Sequence, residues 1–322
     1  RPPGPLLARA LCVDEQMVRL LLDQSGIDSG LAAFCELTVP TESLANLPLM
    51  AETRRALMAL ANTNDETLRL YFGGPQDVIK RQAAGALAAE RGLSLLAVDA
   101  ARLLAEPRDF SQKVRLILRE GWLQNALIYV DDVDALAAAE HKLQRRDLVA
   151  ALESSPVPVV LAGTLACPAD SPLLPLELPP PDFHTRRAVW LVELEHAGVS
   201  VSQETIDVLA GHYRLLAGQI ARAAVLVARQ TRLGSSLDPA LLFRAARAQF
   251  SDALGELAQK IEPVHTWEDL VLPDDALDQL RELCARFIYR QRVMDDWGFD
   301  RKLSRGKGIA AMFAGPSGTG KT

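Results

Sequence analysis

The sequence predicts an α/β domain built on a mostly parallel sheet, followed by a helical domain and the start of a second α/β domain. Three observations lead to this prediction. Strand-like and helix-like segments alternate between residues 67 and 178. Helical segments alone follow the prolines at 179–181. A glycine-containing loop follows the first strand, and a better-formed copy of it lies at residues 315–322.

The elements follow in chain order. A helix in "LLARALCVDEQMVRLLLDQ" is interpreted as the end of a truncated N-terminal helical region. A helix beginning near Val78 is closed by Gly92, and a second carries Val114, Ile117 and Leu118 at helical spacing. The five predicted strands are "TLRLYF" (67–72), "LSLLAVDA" (93–100), "ALIYV" (126–130), "VPVVLAG" (157–163) and "LLPLEL" (173–178). The predicted boundaries are 1–45 for the N-terminal region, 46–182 for the α/β domain, 183–257 for the helical domain and 258–322 for the linker and second α/β start.

Composition limits the classes of function. The chain has 322 residues, 35 basic and 41 acidic side chains, and a net charge of −6, which argues against binding nucleic acid through phosphate contacts. The cysteines Cys12, Cys35, Cys167 and Cys284 lie far apart, so neither a disulfide framework nor a zinc site is expected. No apolar run approaches the roughly 18–20 residues that a membrane span needs. We therefore expect a cytoplasmic protein that does not enter a membrane.

The last eight residues, "GPSGTGKT", carry the clearest motif. Its glycines allow successive backbone N–H groups to point at a phosphate, Lys321 supplies a positive charge to the β- and γ-phosphates, and Thr322 can bind Mg²⁺. Lys321 is thus the predicted catalytic residue, and ATP with Mg²⁺ the predicted cofactor. The predicted binding residues are Gly315, Pro316, Ser317, Gly318, Thr319, Gly320, Lys321 and Thr322. Such a loop needs a helix behind it, so the sequence is expected to continue beyond Thr322.

The segment "LYFGGPQDVIKR" at 70–81 is a degenerate copy of "AMFAGPSGTGKT" at 311–322. Gly74 and Lys80 are kept, but Asp77 and Ile79 replace glycines and Arg81 replaces the Mg²⁺-binding threonine. A β-branched residue does not easily take up the backbone of such a loop, and Asp77 would bring a negative charge towards the phosphates. We therefore predict that this first site does not bind Mg-ATP productively.

Asp131 and Asp132 follow the strand "ALIYV", where a working site holds Mg²⁺ with one acid and orients the attacking water with a second, usually Glu. Asp132 is one methylene shorter than that Glu. Two neighbouring carboxylates at a strand end need a cation, and the alignment places Arg81 nearest to them. The sequence hypothesis is an ion pair between Arg81 and Asp131 or Asp132 that fills the space of Mg-ATP.

These segments resemble a tandem AAA+ ATPase. "HTWEDLVLPDDALDQLREL" with "GPSGTGKT" is similar to the opening of an AAA module, and residues from about 46 to 250 are similar to a degenerate first module. In this comparison Gly163 and Thr164 stand where the family has its sensor asparagine, and the segment between Thr164 and the fifth strand contains no arginine finger. "PPPDFHTRRAVW" resembles the entry to the helical lid, and "HYRLLAGQIARAA" its second-sensor helix without the sensor arginine. The resemblance implies a first module retained for structure and assembly.

Within the family, the combination of an inactive first module and an active second one resembles the ATPases of contractile injection systems and the Cdc48-type unfoldases. That resemblance implies self-assembly into a ring, expected to be a hexamer, that remodels a protein substrate with ATP. A pseudo-ATPase scaffold and a DNA-acting P-loop ATPase are the alternatives. Residues beyond Thr322 would separate the remodelling ATPase from the scaffold. The excess of acidic residues counts against the DNA-acting ATPase. Trp267 fits either packing under the second sheet or contact with a nucleotide base.

Overall fold

The computed structural model describes residues 15–22, 26–63, 67–75, 77–105, 109–153, 155–167, 171–233, 238–249, 266–291, 293–294, 299 and 308–314. The chain divides into two compact units, Arg1–Pro180 and Pro181–Thr322. Within the described residues, no helix is both long and apolar enough to cross a membrane.

The first unit is a six-stranded sheet with helices on both faces. Its strands are β1 (Cys35–Thr38), β2 (Arg69–Gly73), β3 (Ser94–Asp99), β4 (Ala126–Asp131), β5 (Val159–Gly163) and β6 (Leu174–Glu177). Its helices are α1 (Glu15–Leu21), α2 (Ala51–Ala61), α3 (Asp77–Glu90), α4 (Ala100–Leu104), α5 (Phe110–Leu123) and α6 (Lys142–Glu153), with 3₁₀ turns at Val133–Ala137 and Ala139–His141. The strand order is β1-β3-β4-β5-β2-β6, and every pairing except that of β1 with β3 is parallel.

The five strands predicted from sequence are confirmed within one or two residues at each end. They could be recognised because β2 to β5 are buried on both faces and so carry almost unbroken apolar sequences. α3 packs against β3, β4 and β5, while α5 packs against β4. Alternate residues of β4 serve the two sides, since Ile128 and Val130 belong to the same apolar cluster as Val114 and Ile117 of α5.

The N-terminal region differs from the sequence prediction. Residues 1–45 were predicted to be the end of a helical region, and the structure adds a strand there, since β1 pairs antiparallel with β3, from Cys35 opposite Val98 to Thr38 opposite Leu95. The segment "CELT" is too short and too polar to stand out as a strand, and its place in the sheet comes from pairing with the exposed edge of β3. The sheet therefore has one more strand than the sequence indicates.

The second unit begins with four helices: α7 (Phe183–His196), α8 (Gln203–His212), α9 (Ala217–Arg232) and α10 (Pro239–Ala248). α7, α8 and α10 start at side-chain caps, as where Asp182 accepts a hydrogen bond of 2.8 Å from the Thr185 N–H. Trp190 is fully buried among these helices, together with Leu209, Ile220 and Val227. A 3₁₀ turn at Trp267–Asp269 and the helix α11 (Asp274–Gln291) follow.

Candidate functional site

The predicted site residues fall into two groups. Residues 315–322, with the predicted catalytic Lys321, lie outside the described residues. Gly74, Lys80, Arg81, Asp131 and Asp132 are described, and all follow or end β2 and β4 at the carboxyl edge of the sheet. Ligands of parallel α/β sheets bind at this edge, which is therefore where a first site is expected.

The connection from β2 to α3 is short. β2 ends at Gly73 and α3 begins at Asp77, so three residues separate strand from helix and Lys80 is already the fourth residue of α3. Gly74 has a φ of 120°, and a side chain at this position would collide with the carbonyl oxygen of Leu178. A phosphate-binding loop needs a wider curve whose N–H groups converge on the anion. Here α3 already begins at Asp77, so the positions that align with the second half of the phosphate loop are helical.

Lys80 is turned into the protein. Its side chain is 1% exposed, and its ammonium donates hydrogen bonds to the carbonyl oxygens of Gly74 (2.9 Å) and Gly163 (3.0 Å). These two carbonyls follow β2 and end β5, which are neighbouring strands of the sheet. The lysine that would contact phosphate in a working loop therefore joins two strand ends instead.

Asp134 anchors the segment after β5, a role that sequence reasoning missed. Its carboxylate accepts hydrogen bonds from the Thr164 N–H (2.5 Å), the Thr164 hydroxyl (2.6 Å) and the Leu165 N–H (3.3 Å). Burial by itself would raise the pKa of Asp134, but these hydrogen bonds and the nearby charge of Lys80 hold it below its ordinary value. The available signal was the third acid of "YVDDVDAL", three residues beyond the strand end.

Tyr71 of β2 also holds the segment that follows β5. Its hydroxyl donates a hydrogen bond of 2.7 Å to the Leu165 carbonyl oxygen, and burial, with Asp134 nearby, raises the pKa of this hydroxyl to about 12. A side chain at Gly163 would collide with the Tyr71 hydroxyl and the Asp134 carboxylate. Gly163 and Thr164 are thus fixed by contacts within the protein.

Arg81 does not form the ion pair that the sequence suggested. Its guanidinium binds Glu36 of β1 at 2.5 Å, with 43% of the Arg81 side chain and 63% of the Glu36 side chain exposed. The prediction of a partnership with Asp131 or Asp132 is wrong because β1 was not recognised, and β1 supplies a carboxylate closer to Arg81. The position of the Mg²⁺-binding threonine is still occupied by a paired cation.

Asp131 ends β4 and Asp132 follows it, and both line a cavity of about 620 Å³ together with Arg81, Glu36 and Tyr129. The Asp131 carboxylate accepts hydrogen bonds from the Tyr129 hydroxyl (3.2 Å) and from the Asp132 N–H (3.0 Å). Asp132 has a φ of 50°, a left-handed conformation that aspartate tolerates better than most residues. Hydrogen bonds to neighbouring residues therefore hold this acidic pair at the strand end.

The described residues of the first site differ from those that a working phosphate loop presents to Mg-ATP. A bound triphosphate requires converging backbone N–H groups, a lysine that reaches the phosphates and a hydroxyl for the metal. In their place the structure has a three-residue connection, a buried Lys80 bonded to carbonyls and an Arg81 bonded to Glu36.

Solved structures of known proteins are similar to this chain in fold. A structure entitled the FIGL-1 AAA domain in complex with ADP is similar with a TM-score of 0.57 and 12% identity, over 87% of this chain and 99% of that chain. A further FIGL-1 AAA domain structure has a TM-score of 0.53 and 13% identity, over 81% of this chain and 96% of that chain. The chain therefore has the AAA+ fold, as its resemblance implied.

The helical domain matches a family model. Residues 182–251 match the family model "Contractile injection system ATPase helical domain". The match spans α7 to α10 and confirms the resemblance to contractile injection system ATPases. No curated protein sequence matches the chain.

Proposed function

We propose that this chain comprises the first, non-hydrolysing module of a tandem AAA+ ATPase and the beginning of a second module that binds Mg-ATP through residues 315–322. The observation that carries the proposal is the position of Lys80, which is buried and bonded to Gly74 and Gly163. While Lys80 is held by these two strand ends, its charge is directed at backbone carbonyls and not at the phosphates of a nucleotide. The module keeps the fold while its first site has lost the groups that hydrolysis needs.

The proposed role of the complete protein is ATP-driven remodelling of a protein assembly in the cytoplasm, by a ring that is expected to be a hexamer. Support comes from the AAA+ fold and from the contractile injection system match of residues 182–251. In such a ring the first module would contribute contacts between subunits, and the second module would supply hydrolysis. Light scattering on the eluting complete protein tests the assembly: a single mass of six subunits is expected, and a monomer at micromolar concentration would contradict it.

ATP turnover tests the proposed division of roles. The 322-residue chain should show no hydrolysis above background, because its first site is closed and its second site includes only the phosphate loop. Lys321→Ala serves as the matched variant in which that second loop is disabled. Turnover that survives Lys321→Ala and disappears with Asp131→Asn would place catalysis in the first module and refute the proposal.

A pseudo-ATPase scaffold is the second candidate, because the geometry of Lys80 and Arg81 suits a module that only binds partners. Residues beyond Thr322 separate the two readings. An apolar strand ending in Asp-Glu, followed by a sensor asparagine and paired arginines, supports the enzyme, and their loss supports the scaffold. Hydrolysis by the complete protein, abolished by Lys321→Ala, would exclude the scaffold.

A further inference from the structure

The helix α11 contacts the four-helix domain through a row of aromatic side chains. The rings of Phe287 on α11 and His212 at the end of α8 meet edge to face, with centroids 5.6 Å apart and an interplanar angle of 70°. His212 lies 6.3 Å from Tyr213, and Tyr213 lies 6.2 Å from Phe243 of α10. We call Phe243, Tyr213, His212 and Phe287 the aromatic row.

The aromatic row crosses a boundary in the sequence. Three of its members lie within residues 182–251, the segment that matches the contractile injection system helical domain. Phe287 lies beyond that segment, in the helix that precedes the phosphate loop of the proposed second module. A contact between these parts joins the inert module to the element that leads into the other one.

The contact of Phe287 with His212, here called the joint, is partly exposed and differs from the buried core of the helical domain. Phe287 is 60% exposed, whereas Trp190 between α7 and its neighbours is fully buried. Among the residues that the structure describes, polar contacts of α11 run along the helix, as between Arg286 and Glu282 at 2.7 Å. An edge-to-face aromatic pair changes an equilibrium by only roughly 2- to 10-fold, so docking of α11 is reversible.

We propose that the aromatic row docks α11 on the helical domain and so lets the inactive first module position the start of the second module. This inference rests on the proposed function for the identity of α11 as the second module's first helix. The partner of the helical surface is thus a segment of the same chain, recognised by an aromatic ring. The His212–Phe287 contact is the link by which α8 holds α11.

Hydrogen exchange on the 322-residue chain, followed by mass spectrometry of peptides covering residues 280–291, tests the joint. His212→Ala changes α8 and leaves the sequence of α11 intact, so its effect on α11 must pass through the contact. We expect exchange in α11 to accelerate roughly 2- to 10-fold while α7 exchanges as before. His212→Phe keeps an aromatic ring and should restore the protection.

Tyr289→Ala is the matched control, since Tyr289 lies two residues from Phe287 and is 56% exposed. It should leave α11 exchange within twofold of the unchanged chain. Unaltered exchange of α11 in His212→Ala would overturn the proposal. It would do so even if Phe287→Ala accelerated exchange, because that variant changes α11 itself and does not report on the contact with α8. This test does not depend on nucleotide. ATP turnover in the first module would refute the proposed function and leave the contact of α11 with the helical domain unaffected. Unaltered exchange of α11 would refute that contact alone.

Discussion

Replacing Lys80 with methionine tests the assignment of this lysine as an internal tether. Methionine keeps most of the apolar stem but cannot donate to the carbonyl oxygens of Gly74 and Gly163, which the ammonium reaches at 2.9 and 3.0 Å. Hydrogen bonds from a charged donor contribute about 1.5–3 kcal/mol each, and part of this is offset because a buried charge is no longer desolvated. The expected loss is about 2–4 kcal/mol in the free energy of unfolding.

The assay is chemical and thermal unfolding of Lys80→Met beside the unchanged chain. For a domain of this size, the expected loss lowers the unfolding midpoint by roughly 5–15 °C. Lys142→Met is the matched control, because Lys142 lies exposed at the start of α6 and its replacement should stay within about 0.5 kcal/mol. A stable Lys80→Met chain that has lost affinity for Mg-ATP would refute the reasoning, since Lys80 would then be a ligand-facing residue.

Two further predictions concern the neighbouring contacts. Asp134→Asn should cost about 1–2 kcal/mol at pH 7. The pKa of Asp134 is lowered in the folded state, so the loss of stability is fully present above the ordinary aspartate pKa of 3.8 and should shrink as the pH falls below that value. Urea unfolding between pH 3 and 7 measures this change. A loss that grows on acidification would contradict the assignment. Arg81→Ala should cost less than about 1 kcal/mol because the pair with Glu36 is largely exposed, and urea unfolding would contradict this if the loss were as large as for Lys80→Met.

The sheet was predictable because burial on both faces leaves a direct mark on sequence. The strands β2 to β5 are short apolar segments separated by helix-forming ones, and that alternation suffices to place them. β1 left no such mark: "CELT" has one buried residue, Cys35, and its pairing depends on an edge of β3 far along the chain. Long-range pairing of a short edge strand cannot be read from local pattern.

Sequence singled out some residues of the candidate site, but not Asp134 or Tyr71 and not the contacts that any of them make. The repeat with residues 311–322 singled out Gly74, Lys80 and Arg81, and the strand end singled out Asp131 and Asp132. The partner of Arg81 came out differently because Glu36 belongs to the unrecognised β1. Sequence indicated that Lys80 was kept but could not show that its ammonium is directed to two backbone carbonyls, since the direction depends on where β5 ends.

Direct binding of Mg-ATP to the 322-residue chain carrying Lys321→Ala tests the central claim that the first site is closed to nucleotide. In this variant the second phosphate loop is disabled, so any remaining affinity belongs to the first module. Isothermal titration calorimetry at millimolar Mg-ATP should show no saturable heat, because Lys80 is bonded to Gly74 and Gly163. Saturable binding at one site, weakened at least tenfold by Asp131→Asn, would contradict the account.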